Sequence, residues 1–281
     1  MNTQDQTADS TGSSLRIAVL GAGKMGGILL QAFLRSGLFG DNQIAATVAH
    51  DLRAEALSEQ LGIAVTTDNR TAVRGADIVL LAVKPTQVVD LVRDIAPELP
   101  SHALLISIAA SVKTSAIEAA AGGSHAVIRG MPNTPAMLGA GVTALCRGRF
   151  VNDDQLTLAQ RIFSTVGRVV VVDERHMDAV TGLSGSGPAF LYIIIEALAE
   201  AGVNVGLPRD IATQLAAQTT FGAAKMVLET GNHPALLKDE VTTPAGCTVD
   251  GILELEEGGL RVTLIKAVKR ATERARELAG S

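Results

Sequence analysis

The run Leu15-Arg16-Ile17-Ala18-Val19-Leu20, followed at once by Gly21-Ala22-Gly23-Lys24-Met25-Gly26, constrains this chain more than any other stretch. An apolar run with β-branched residues predicts a buried parallel strand, and the glycines after it predict a tight turn that opens a helix. Gly21 would permit the turn, Gly23 would let backbone approach a bound pyrophosphate, and Gly26 would let the new helix lie close to its strand. Lys24 and Met25 then start the helix, where unpaired N–H groups and a partial positive charge favour an anion. The spacing is the dinucleotide fingerprint, and its setting at the head of a strand–helix alternation strengthens it.

That alternation continues. The first helix is expected over about Lys24–Ser36 and the second strand over Ile44–Ala49. Beyond that strand come His50, Asp51 and Arg53, where a dinucleotide fold meets the adenosine ribose. Asp51 would accept from a free 2'-hydroxyl and repel a 2'-phosphate, whereas Arg53 would pair with that phosphate. Equally, Asp51 caps a helix beginning near Leu52 and Arg53 is merely solvated. Further strands are expected at Ile63–Thr66, leading to Asp68-Asn69-Arg70, and at Asp77–Val83, ending in Lys84-Pro85. Lys84 then stands at the carboxyl edge of the sheet, where open α/β folds bind ligands, or is a plain surface lysine. Strands at Ala103–Ile108 and Ala126–Arg129 follow, the second leading to Met131-Pro132-Asn133-Thr134-Pro135, whose prolines present Asn133 on a stiff turn. Gly141–Cys146 and Arg168–Val172 flank a helix over about Asp153–Thr165.

From about Glu174 strand-like runs stop and helical periodicity takes over. The fold class expected is therefore an α/β Rossmann-type dinucleotide-binding domain over 15–173, followed by an all-α domain over 174–281, with 1–14 a disordered polar tail. Ala189–Val203 is apolar on nearly every side, which implies cover by a bundle or by another subunit. Arg209–Thr230 and Gly259–Leu278 are the other long helices, and Leu260, Leu264, Val268, Ala271, Ala275 and Leu278 of the last form a stripe expected in the core. Thr181–Pro188 carries small residues, with Pro188 placed to start a helix. Val241–Thr248 is a hydroxyl-bearing loop whose helix start offers amides to a carboxylate, helped by Thr243 and Thr248; as a residue alone, Thr248 reads as an N-cap.

Composition narrows the function classes. A net charge of −5 with 2% aromatic residues gives neither a basic face nor stacking platforms for nucleic acid. No apolar run is expected to reach membrane-spanning length, since Ala189–Leu198 is interrupted by Tyr192 and Glu196, and the polar start is not a secretory signal; the expectation is a cytoplasmic protein without membrane contact. Cys146 and Cys247 lie far apart with no ligand spacing, so no metal site is expected and both read as buried or semi-buried free thiols.

Four motifs in order carry a resemblance covering about Leu15 to Leu278: Ala82-Val83-Lys84-Pro85; Met131-Pro132-Asn133-Thr134-Pro135; Leu183-Ser184-Gly185-Ser186-Gly187-Pro188-Ala189-Phe190; and His233-Pro234-Ala235-Leu236-Leu237-Lys238-Asp239 with the loop after it. The chain resembles the pyrroline-5-carboxylate reductases of proline biosynthesis. The resemblance implies reduction of 1-pyrroline-5-carboxylate to L-proline by NADPH or NADH, without metal, by a dimer joined through the helical half and assembled further, as in a decameric ring. It places Gly21, Gly23, Met25 and Gly26 at the pyrophosphate, Asn69 near the adenosine ribose, and Lys84 and Asn133 along the nicotinamide path. It places Thr243, Gly246, Cys247 and Thr248 at the substrate carboxylate, with Thr248 a candidate proton donor and Lys84 facing the reacting end. Three departures stand out: Thr243-Pro244-Ala245-Gly246-Cys247-Thr248 replaces Ser-Pro-Gly-Gly-Thr-Thr, Ser111 stands where glycine is usual, and Asp51 stands where many members place Ser, Asn or Arg. The competing functions are a reductase of the same plan acting on another cyclic imine or a small hydroxy or keto acid, and a nicotinamide-binding regulator without turnover.

Overall fold

The computed structural model describes residues 15–243 and 246–279. The tail 1–14, expected to be disordered, and Pro244 and Ala245 of the hydroxyl-bearing loop lie outside the described residues. Eight strands form one sheet: β1 Ile17–Leu20, β2 Ile44–Thr47, β3 Ala64–Thr66, β4 Ile78–Leu81, β5 Leu104–Ser107, β6 Val127–Met131, β7 Gly141–Arg147 and β8 Gly167–Val171. Their order is β3-β2-β1-β4-β5-β6-β7-β8, parallel at every pairing except the antiparallel β6–β7. All the expected strands form, with ends shifted by one or two residues, because turn hydrogen bonds take over at the edges. Gly21 and Ala22, for instance, donate their N–H groups to the Thr47 carbonyl at 3.2 and 2.7 Å.

The helices linking these strands are α1 Lys24–Ser36, α2 Asp51–Leu61, α3 Asn69–Val73, α4 Pro85–Ile95, α5 Thr114–Ala120 and α6 Asp153–Ser164. Strand β1 shows how the sequence sorts into layers. Ile17 and Val19 enter the core on one face with Leu29, Phe33 and Phe163. Ala18 and Leu20 enter the core on the other with Val79, Val88 and Ile95. A strand buried on both faces has no polar alternation, as its sequence lacks. The chain order reverses at β1, so β2 and β4 lie on its two sides and their carboxyl ends frame a crevice.

The chain divides into two compact units. One takes the sheet, its helices and everything through Gly185, with the end of the last helix from Thr272; the other is Ser186–Ala271. In the first, a 3₁₀ turn at Glu174–His176, α7 Met177–Val180 and a π-helical turn at Thr181–Gly185 follow β8. The second holds most of α8 Gly187–Asn204, α9 Arg209–Thr230, α10 Pro234–Val241, α11 Cys247–Glu257 and the first part of α12 Leu260–Ala279. Helix α8 packs closely on α9 where Gly202 meets Ala212: a Cβ on Gly202 would lie 2.9 Å from that of Ala212.

The helical unit leaves open the α8 face that was expected to be covered by a bundle or by another subunit, and it covers less of α12 than expected. Of α8 only Ala199 is buried, while Leu191, Tyr192, Ile193 and Leu198 are exposed. The α12 stripe read as core is half-buried along most of its length, Ala275 alone being buried, and Leu278 is exposed. The periodicity was that of a covered face, but one chain does not supply the cover. The helical run Glu174–Asn204 is, by length and composition alone, long and apolar enough to cross a membrane. That corrects the expectation that no run would reach this length: the turns before Ser186 join α8 into one continuous helical stretch.

Candidate functional site

The glycine turn behaves as its spacing predicts. Gly21 has φ +94°, a conformation that favours glycine, and a Cβ there would sit 2.8 Å from Val83 Cγ1. A Cβ on Gly26 would overlap the Gly21 carbonyl oxygen and approach the Ala82 methyl at 2.9 Å. Gly23 is different: nothing lies within 4 Å of where its Cβ would be, so it borders open space. Its own N–H is spent on the Gly21 carbonyl at 2.7 Å. The donors left without a backbone partner, among the described residues, are the N–H groups of Lys24, Met25 and Gly26 in the first turn of α1.

That turn opens into a cleft of about 400 Å³ at the carboxyl ends of β1, β2, β3 and β4. Gly21, Gly23, Asn69, Ala82, Val83, Lys84 and Arg53 of the expected set line it. So do His50, named beside Asp51 and Arg53 in the sequence, and Thr47, Val48, Ala49, Thr67 and Gln87, which the sequence does not single out. Lys84 is the N-cap of α4 and is exposed, with Pro85 fixing the first helical position. Arg53 makes no ion pair among the described residues and faces this space.

Thr47 is the hub that was missed. It is 2% exposed, and its hydroxyl accepts the Gly21 N–H at 3.1 Å and donates to Asn69 Oδ1 at 2.7 Å. One side chain thereby fixes the glycine turn to α3. The signal was a single polar residue closing the strand Ile44-Ala45-Ala46-Thr47 at the ligand-bearing edge. Asn69 lines the cleft, and with its Oδ1 accepting from Thr47 its Nδ2 has no hydrogen-bond partner among the described residues. Asp68, the N-cap of α3, accepts from the N–H groups of Arg70 and Thr71 at 3.0 and 3.2 Å. The Thr71 hydroxyl and these amides hold its carboxyl below the usual carboxylate range.

Three readings of single residues change. Asp51 is not a cap: His50 is the N-cap of α2 and Asp51 its first residue, with its carboxylate accepting from Thr67 Oγ1 at 2.7 Å. Thr248 is not a cap either. Gly246 is the N-cap of α11 and Thr248 sits one residue inside the helix, because Gly246 turns the chain by donating its N–H to the Thr243 carbonyl at 3.0 Å. Cys247 is exposed rather than buried, being the first residue of that helix with little packed outside it. Cys146 is buried, and burial first, then the nearby Glu174 carboxylate, push its thiol up to about 11.

Asn133 is drawn inward. Its Nδ2 donates to the Ser184 carbonyl at 3.1 Å and its Oδ1 accepts the Val142 N–H at 3.0 Å, so it ties the Pro-rich turn to β7 and to the π-helical turn. Ser111 is the one non-glycine residue at positive φ among the described residues, at φ 67°, and its hydroxyl donates to the Ala275 carbonyl at 2.8 Å.

The second candidate group lies in the helical unit. Cys247 and Thr248 head α11 with N–H groups that have no backbone partner among the described residues, and Thr243 and Thr248 bring hydroxyls to the same segment. Such a helix start suits a carboxylate. No cluster of three or more metal-ligating side chains occurs among the described residues.

Comparison with known proteins identifies the family. Residues 174–278 match the family model described as pyrroline-5-carboxylate reductase dimerisation, and residues 16–111 match one described as NADP oxidoreductase, coenzyme F420-dependent. A pyrroline-5-carboxylate reductase of Methanosarcina acetivorans is 46% identical over 94% of this chain and 97% of its own length. One of Glycine max is 43% identical over 94% and 96%. The structure of a pyrroline-5-carboxylate reductase from Coxiella burnetii superposes with a TM-score of 0.87 at 37% identity, covering 94% of this chain and 98% of that one. The pyrroline carboxylate reductase of Plasmodium falciparum, solved with NADP bound, gives 0.85 at 28% identity over 95% and 98%. Identity at this level along nearly the whole of both chains places the protein in the pyrroline-5-carboxylate reductase family.

Proposed function

We propose that this chain reduces 1-pyrroline-5-carboxylate to L-proline with NADPH as hydride donor, NADH serving less well, and that it closes proline biosynthesis. The observation that carries the reading is that one chain of this family holds two anion-ready helix starts. One is the Gly21–Gly26 turn, with the free amides of Lys24 and Met25 bordering open space at Gly23. The other is the Thr243–Thr248 segment with the free amides of Cys247 and Thr248. The residues fit a dinucleotide: small backbone for the pyrophosphate, Asn69 and Arg53 toward the ribose, and Val83, Lys84 and Pro85 along the path of the ring. When bound, the nicotinamide supplies the hydride. The chain's own work is positioning: the α11 amides and the Thr243 hydroxyl hold the substrate carboxylate, and the Thr248 hydroxyl orients the ring nitrogen and delivers or relays its proton. Lys84 borders the reacting end as a fixed charge, and Asn133 acts by holding the turn beside it.

We further take 15–173 as the dinucleotide-binding domain and 174–281 as the substrate-binding and dimerisation domain. The exposed apolar residues of α8 and α9, among them Leu191, Tyr192, Ile193, Ile211 and Leu215, are supported as the face covered by a second subunit, with dimers joining into a larger ring in the cytoplasm. The test is the initial rate of NADPH oxidation on adding 1-pyrroline-5-carboxylate to the purified protein, with formation of proline. Turnover supports the reading. Dinucleotide binding without oxidation would instead favour a sensor, and oxidation with a different imine alone would move the substrate.

A further inference from the structure

The ribose end of the cleft holds two residues of opposite consequence, and the structure separates them. Arg53 lines the cleft without an ion-pair partner among the described residues. Asp51 does not line it: its carboxylate accepts from Thr67 Oγ1 at 2.7 Å and borders the neighbouring groove beside Glu55 and Glu59. Thr67 is well placed to hold it. The residue before it, Thr66, accepts the Asp68 N–H at 3.1 Å, and Asp68 in turn caps α3, so both flanks of Thr67 are fixed. Asn69 lines the cleft beside Arg53, its Oδ1 accepting from the Thr47 hydroxyl and its Nδ2 without a hydrogen-bond partner among the described residues. Of the two residues of opposite consequence, then, the Arg53 guanidinium lines the cleft and the Asp51 carboxylate is held in the neighbouring groove.

Resting on the reductase reading above, we propose that Thr67 is a specificity-determining positioning residue for the dinucleotide. By holding Asp51 out of the cleft, its hydroxyl leaves the 2' position to donors and favours a 2'-phosphate over a free 2'-hydroxyl. A released Asp51 would do the reverse on both counts, repelling the phosphate and accepting from the hydroxyl.

The experiment is calorimetric titration of the full-length protein with NADPH and with NADH, which reads binding apart from turnover. The wild type binds NADPH more tightly. Thr67→Val lowers the ratio of NADPH to NADH affinity by about two- to fivefold, the scale of one exposed charge interaction. Thr67→Ser keeps the ratio, and Asp51→Asn added to Thr67→Val restores it. A ratio unmoved by Thr67→Val, a loss that Asp51→Asn does not reverse, an equal loss in Thr67→Ser, or a wild type preferring NADH would each overturn the proposal. A wild type that binds neither dinucleotide would overturn the reductase reading itself.

Discussion

Ser111 gives the sharpest test of how the loop after β5 is held. At φ 67° a residue with a Cβ carries strain of about 1–2 kcal/mol relative to glycine. Ser111 is 7% exposed and its hydroxyl donates to the Ala275 carbonyl of α12, a bond of about 1 kcal/mol net. Ser111→Ala removes the bond and keeps the strain, so it destabilises by about 1 kcal/mol or somewhat more. Ser111→Gly removes both, and after about 0.5–1 kcal/mol of extra unfolded-chain entropy it ends near the wild type. The usual order, in which alanine is the milder replacement, is therefore reversed. Urea denaturation of the three proteins at one subunit concentration measures the order, the fixed concentration being needed because assembly adds to apparent stability. An alanine variant as stable as the wild type, or a glycine variant weaker than the alanine one, would refute the reasoning. The same balance explains how serine occupies a backbone conformation that favours glycine: a hydroxyl bond offsets a strained backbone.

Other perturbations follow from the same geometry. Thr248→Ala should lower kcat about tenfold to a few hundredfold with NADPH affinity unchanged, because an orienting hydroxyl is lost while the α11 amides remain; loss of all turnover with folding intact would make the hydroxyl an obligatory proton donor. Thr47→Val should weaken binding of both dinucleotides, since it frees the Gly21 turn and Asn69 together; calorimetry showing unchanged affinities would remove Thr47 as the hub. A thiol reagent at neutral pH should modify Cys247 quickly and Cys146 only on unfolding, counted by intact mass. Stability should also fall as pH rises from about 9 toward 11, because the unfolded Cys146 thiol ionises first and the unfolded state then binds fewer protons than the folded one; the decline should vanish in Cys146→Ala.

Much of this was legible because period and punctuation are local. The β1 run and its glycines fix a strand, a turn and a helix within a dozen residues, and Arg209–Thr230 was bounded at both ends by Pro208 and Gly231. Lys84-Pro85 marked the edge of the sheet because proline can only begin a helix there. Asp51 was not decidable from its position, since its direction depends on Thr67, sixteen residues on and across another strand. Thr47 escaped for a similar reason: a threonine ending a strand looks ordinary until Gly21 and Asn69 meet at its hydroxyl. The α8 face was legible as apolar and in need of cover, whereas the α12 stripe was misleading as core, because periodicity reports that a surface is covered, not by which chain.

What joins the legible and the hidden parts is β6, where the parallel sheet turns antiparallel. Its Arg129 is 3% exposed, 3.9 Å from Glu174 and 3.7 Å from Asp178, and its Nη2 has no hydrogen-bond partner among the described residues. Glu174 meanwhile accepts from the Thr114 N–H and hydroxyl at 2.7 and 3.0 Å. A buried guanidinium with two carboxylates at such distances is poor stabilisation for the desolvation it entails, and an apolar residue of similar volume would often do as well. Its effect is better understood as selection of one arrangement: a different seating of 174–180 would leave a charge buried alone. Four residues on, Asn133 fixes Ser184 in the same manner, through a carboxamide hydrogen-bonded at both its nitrogen and its oxygen. Two polar anchors from one strand and its turn thus set where the stretch 174–185 lies before α8 begins.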